Sequence, residues 1–301
     1  LGRGGEQPAW LDRVAPFLFV ILWSSSFIGA KAGLRHVTPL LFVTVRLTAC
    51  AAVLVVAMTV LRRSWRPLAG SKWLHCAVAG ALMNAGGLMP PHVGLLLAPS
   101  AQIALVQSLA PLLTAVLGVA VLHETLRPRQ WAGLALGLAG VGLVVGQAAL
   151  QSPARFQGLV LAFCGVICLV AGTLHFGRFC RGVPLLPGAT AQFGSAAVVG
   201  AAATWVLEVP HADWTGTAIA ATAWNTVMVS LGGMGLYFGM LVRGTAARAS
   251  ANFYLVPGTA ALFAWLLLGE RLSWLAVGGL VVASAGCWMV SGAASKRAAK
   301  P

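Results

Sequence analysis

Runs of about 20 predominantly apolar residues follow one another along almost the entire chain, parted only by short segments that carry Arg, Lys, Pro and Gly. A run of that length, wound as a helix, crosses the roughly 30 Å hydrocarbon core of a bilayer. Charged side chains make up 9% of the residues and hydrophobic ones 59%, whereas a soluble domain carries about a quarter charged residues. There is too little polar side chain to coat a water-soluble globule, so the medium is lipid. Spans are expected near 14–34, 39–61, 73–97, 101–122, 129–148, 157–178, 186–206, 217–241, 247–268 and 273–292. The first run continues past the length of a signal-peptide core with no small-residue cleavage site after it, and is expected to stay in the membrane.

The formal charge of +14 would suggest nucleic acid if read alone, but the basic residues form no contiguous stripe interleaved with aromatics. They sit in the loops, and unequally. With the N-terminus inside, the inner segments hold Arg62, Arg63, Arg66, Lys72, Arg127, Arg129, Arg178, Arg181, Arg243 and Arg248, while the outer ones keep Lys31, Arg35, Arg155 and Arg271. The positive-inside rule then places both termini in the cytoplasm. The partners expected are a small-molecule substrate and membrane lipid, with no nucleic acid.

Laid without a gap on residues 251–286, residues 105–140 match themselves. Pro111 and Glu124 meet Pro257 and Glu270, alongside Leu109, Gly133 and Gly140 against Leu255, Gly279 and Gly286. Leu and Gly matches are cheap in a membrane protein; paired Pro and Glu matches are not. Five spans per half is an odd number, so the second half enters the membrane upside down. The expected fold class is an all-α integral membrane protein, its ten transmembrane helices forming two inverted-topology five-helix repeats, 1–150 and 151–301, around a central cavity.

These features resemble the drug/metabolite transporter superfamily in its ten-helix EamA-type branch, over nearly the whole chain. The resemblance is carried by Trp23-Ser24-Ser25-Ser26-Phe27, by Arg46, and by the twice-used proline-to-glutamate pattern of Pro111 to Glu124 and Pro257 to Gly269-Glu270-Arg271. The sequence departs from the family at His123, which replaces a glycine, and at Pro90-Pro91-His92, which is expected to interrupt the third span. The resemblance implies a bacterial inner-membrane transporter, similar to amino-acid and metabolite exporters.

An arginine at membrane depth costs about 2.5–3.5 kcal/mol on insertion scales unless it faces protein or water. Arg46 is therefore read either as a clamp on helix ends or as a contact for cargo or gate. Trp23 and Ser24 offer an aromatic wall and a hydroxyl, or else close helix packing. The other polar groups at depth, Asn84, His92, Gln107, His175, Tyr237, Asn252 and Tyr254, are cavity candidates, with His92 foremost. Pro111 and Pro257 are candidate hinges or plain kinks, since a mid-helix proline removes a backbone donor. Lys31 is expected to snorkel to the interface.

Glu6, Asp12, Glu124, Glu208, Asp213 and Glu270 all fall at span ends or in loops, which speaks against a midplane carboxylate relay. Glu124 and Glu270 are expected to pair with Arg127 and Arg271 at the interface. The six cysteines form no C-x-x-C pair and read as packing residues; no metal and no cofactor is expected. Catalysis would need a constellation that the sequence lacks, so no enzyme is expected. The reading is an exporter of small neutral or aromatic amino acids and related metabolites by alternating access, monomeric or homodimeric. The alternative is a multidrug or other lipophilic-metabolite exporter.

Overall fold

In a computed structural model, residues 10–68, 70–122, 128–180, 182–233, 235–236, 255–270 and 273–294 are described. They are helical throughout apart from short connections. Among them the one extended pairing is a single antiparallel bridge between Val37 and Ala212. The helices are α1 (Trp10–Gly33), α2 (Pro39–Val60), α3 (Ser71–Gly80), α4 (Gly87–Leu97), α5 (Ser100–Gln107), α6 (Ala110–Leu122), α7 (Pro128–Gln151) and α8 (Pro153–Phe179). They continue with α9 (Leu185–Leu207), α10 (Gly216–Ala223), α11 (Val256–Leu268) and α12 (Trp274–Ala294).

Among the described residues five helices, Val14–Gly33 within α1, then α2, α7, α8 and α9, are long and apolar enough to cross a membrane. The third expected run is composite. A π-helical turn over Ala81–Gly86 joins α3 to α4, and α4 passes through Pro90 and Pro91 without a break. The expected interruption at the double proline is thus displaced to the turn before it. A wider π turn already re-registers the backbone bonds that the prolines cannot complete. The eighth run has the same construction, α10 leading into a π-helical segment over Trp224–Gly233.

The sequence offset of 146 residues reappears in the element boundaries. It carries α6 onto α11, the start of α7 at Pro128 onto that of α12 at Trp274, and the π turn at 81–86 onto 227–232, inside the second π segment. The mates α7 and α12 also pack on each other. A Cβ added at Gly140 would stand 2.6 Å from the Gly279 carbonyl oxygen, and one added at Gly286 2.5 Å from that of Gly133. The offset makes Gly133 the mate of Gly279 and Gly140 the mate of Gly286. The two contacts therefore exchange under a local two-fold axis, and the helices run antiparallel. These glycines let α7 and α12 close on each other within the fold.

Small residues also let α4 and α8 approach. A Cβ at Gly165 would meet Pro91 Cδ at 2.6 Å, and one at Gly94 the Gly158 carbonyl oxygen at 2.6 Å. In lipid such packing stands in for the hydrophobic drive that water would supply. Large apolar side chains point outward, with Trp205 85% and Trp274 91% exposed at one end of the bundle. Trp65 and Trp73 are exposed at the other end, as in an interfacial aromatic belt.

Replacing Gly286 with leucine should force α7 and α12 apart and cost about 1–3 kcal/mol, read as a lowered melting temperature of the detergent-solubilised protein. The same change at Gly278, where a Cβ meets nothing within 4 Å, should leave melting nearly unchanged. Equal effects at the two positions would contradict the α7–α12 contact.

Candidate functional site

Arg46 lies on α2 with only 5% of its surface exposed. Its Nε donates to Ser230 Oγ at 2.8 Å and its Nη1 to Asn225 Oδ1 at 3.2 Å, both acceptors on the π-helical segment. Asn225 is fixed in turn by donating to the Ala221 carbonyl at 3.1 Å. One turn along α2, Cys50 faces the Thr226 carbonyl. A segment with wider turns brings Asn225 and Ser230 to one arginine. Gly29 of α1 leaves room for Asn225, because a Cβ there would come within 2.6 Å of Asn225 Nδ2. No carboxylate pairs with Arg46 among the described residues. Among those residues its charge is held by the neutral dipoles of Ser230 and Asn225.

His92 of α4 packs against Phe42, one turn before Arg46, with ring centroids 5.9 Å apart. Its Nδ1 donates to the Leu88 carbonyl at 2.7 Å, which in the neutral ring leaves Nε2 as an acceptor. Among the described residues that buried Nε2 has no hydrogen-bond partner. A buried polar atom left unpaired costs about 1–3 kcal/mol and calls for an explanation. A donor arriving with a ligand would satisfy it.

The remaining candidates scatter. Ser24 is fully buried where α1 meets α11, donating to the Val256 carbonyl at 3.2 Å. Trp23 is half-buried, its ring 5.4 Å from that of Phe19. Asn84 lies in the first π turn, at the offset mate of Ser230. Gln107 closes α5, just before a break at Ser108 and Leu109 that places Pro111 in the first turn of α6. Pro257 likewise opens α11. His175 is drawn to His75 of α3, with ring nitrogens 3.2 Å apart and Phe179 stacked on His75. Tyr237, Asn252, Tyr254, Glu124, Arg127 and Arg271 lie outside the described residues.

Lys31 does not simply snorkel. It pairs with Glu270, the residue expected to pair with Arg271, and its Nζ also donates to the Ala98 carbonyl at 3.3 Å. Two residues and one contact escaped sequence reasoning. Asn225 and Ser230 sit in an expected span, and an Asn at depth was the available signal. The Lys31–Glu270 contact joins residues far apart in sequence and left no local trace.

A helical bundle built for lipid, with a two-fold-related helix pair and an arginine buried on neutral dipoles, is the architecture of a membrane transporter. Residues 14–146 and 156–292 each match the EamA-like transporter family. The chain belongs to that family, within the drug/metabolite transporter superfamily. It is 27% identical over 280 residues to the uncharacterized inner membrane transporter YedA of Escherichia coli K12, covering 89% of this chain and 88% of YedA. It is 22% identical over 286 residues to the uncharacterized transporter YoaV of Bacillus subtilis, covering 92% and 95%. A solved crystal structure superposes with a TM-score of 0.67 at 22% identity, over 94% of this chain and 98% of that one, which shows the fold.

Asn225→Leu should strip Arg46 of one of its two acceptors and destabilise the protein by about 1–3 kcal/mol. Ser25→Ala, which removes a bond from the exposed Trp224 indole and the hydroxyl's local bond to the Leu22 carbonyl one turn back, should be nearly neutral. Thermal melts of both variants check the difference.

Proposed function

We propose that this protein is a carrier of the bacterial inner membrane that exports small carboxylate-bearing metabolites, neutral and aromatic amino acids foremost. In this reading ten spans form two inverted halves, 1–150 and 151–301, which rock around the Arg46 region with both termini in the cytoplasm. The observation that carries it is Arg46, a buried cation whose partners among the described residues are all neutral. A buried charge held by dipoles alone lacks its counter-charge. A cargo carboxylate supplies that counter-charge, matched to the planar fork of the guanidinium. His92 Nε2, short of a donor, accepts from the cargo's ammonium.

Such a site recognises a zwitterion through both of its charged groups, which suits a neutral amino acid better than a lipophilic cation. The described carboxylates Asp12, Glu208, Asp213 and Glu270 lie in loops or at helix ends, so the energy source is the cargo gradient or exchange rather than a midplane carboxylate relay. No catalytic step is part of this reading.

Counterflow in proteoliposomes preloaded with single amino acids tests it. Wild type should exchange at least one neutral L-amino acid in preference to its D-enantiomer, with a protonophore present. Arg46→Gln should lower that exchange by tenfold or more, about 1.4 kcal/mol or above, and His92→Ala should weaken it as well. Full exchange by Arg46→Gln, or exchange of lipophilic cations in place of amino acids, would sink the assignment.

A further inference from the structure

An open cleft of about 350 Å³ lies at the end of the bundle that carries Lys31. It is walled by Lys31, Arg155 and Glu270 together with Leu96, Leu97, Ala98 and Pro99. Glu270 follows α11 and reaches across to the other half of the chain. Its Oε1 pairs with Lys31 of α1, and its Oε2 accepts from both the backbone N–H and the Oγ of Ser100, each at 2.9 Å, at the start of α5. An ammonium, a hydroxyl and a helix N-terminal N–H together make a carboxylate receptor. Here the protein's own carboxylate fills it, with Glu270 only 13% and Lys31 28% exposed. Arg155 lines the same cleft. It is exposed, and among the described residues its side-chain bond is from Nη1 to Gln151 Oε1 on the same surface at 3.2 Å. Among those residues two cations therefore face one carboxylate, in a space large enough for an amino acid.

We propose that this cleft is a second, peripheral site for the cargo's carboxylate, in which Glu270 is the resident competitor. Cargo held first by Arg155 displaces Glu270 from Lys31 and Ser100. This frees α11 from α1 and α5 and opens this end of the carrier. The exchange is of one carboxylate for another, so Lys31 is never left without a partner, and the release is cheap only when cargo is present. Without cargo the clamp keeps the end shut, which favours exchange over leak. The inference rests on the carboxylate-bearing cargo proposed above.

The test measures exchange of a labelled mixture of L-amino acids in right-side-out and inverted membrane vesicles. It compares wild type with Arg155→Gln, Glu270→Gln and Arg46→Gln. Arg155→Gln should raise the half-saturating concentration roughly tenfold at the face that carries Lys31 and leave the other face unchanged. Glu270→Gln, which keeps an acceptor for Ser100 but releases Lys31, should raise efflux into cargo-free buffer severalfold relative to exchange. Arg46→Gln should suppress exchange from both faces. If Arg46→Gln suppresses exchange while the other two variants match wild type at both faces, the peripheral site is overturned and the cargo reading stands. If Arg46→Gln exchanges like wild type, or wild type exchanges none of the mixture, the cargo reading fails and this inference fails with it.

Discussion

Lipid offers no hydrogen bonds, so every backbone N–H and C=O at depth must find its partner within the protein. That requirement makes the chain helical. It also gives meaning to the places where the regular ladder is altered: the π turn at Ala81–Gly86, the break at Ser108–Leu109 and the π segment at Trp224–Gly233. The last of these carries Asn225 and Ser230, the two side chains that hold Arg46. An arginine could not remain buried in this bundle if the segment facing it were plain apolar helix. The altered backbone and the buried charge are one arrangement.

Symmetry organises the rest. The mates α7 and α12 meet antiparallel with their glycine contacts exchanged, and a 146-residue offset links α6 to α11 and one π turn to the other. In the function proposed above, this two-fold-related pair is the element about which the two halves rock. The Lys31–Glu270–Ser100 contacts add a tie of α11 to α1 and α5 at the end of the bundle that carries Lys31.

Much of the architecture was legible in the sequence because it follows from simple rules. The apolar runs, the family resemblance and the repeat all rest on composition and on the Pro111/Pro257 and Glu124/Glu270 register. Arg46 and His92 were found because a polar group in a span is costly and therefore conspicuous. Their partners were not, since only tertiary structure decides whether Ser230 faces lipid or an arginine. Glu270 was assigned to its sequence neighbour for the same reason: local pairs can be read from spacing, whereas Lys31 lies 239 residues away. The double proline misled in another way. Its cost was met one turn upstream, where Ala81–Gly86 carries no proline to mark the π turn.

The central claim is that Arg46 is a receptor for a carboxylate. Calorimetric titration of the detergent-solubilised protein with a neutral L-amino acid and with its amide, which differ only in that group, tests it most directly. Binding of the acid at least about 100-fold tighter than the amide, some 2.7 kcal/mol, is the expected result. Equal affinity for the two would contradict it.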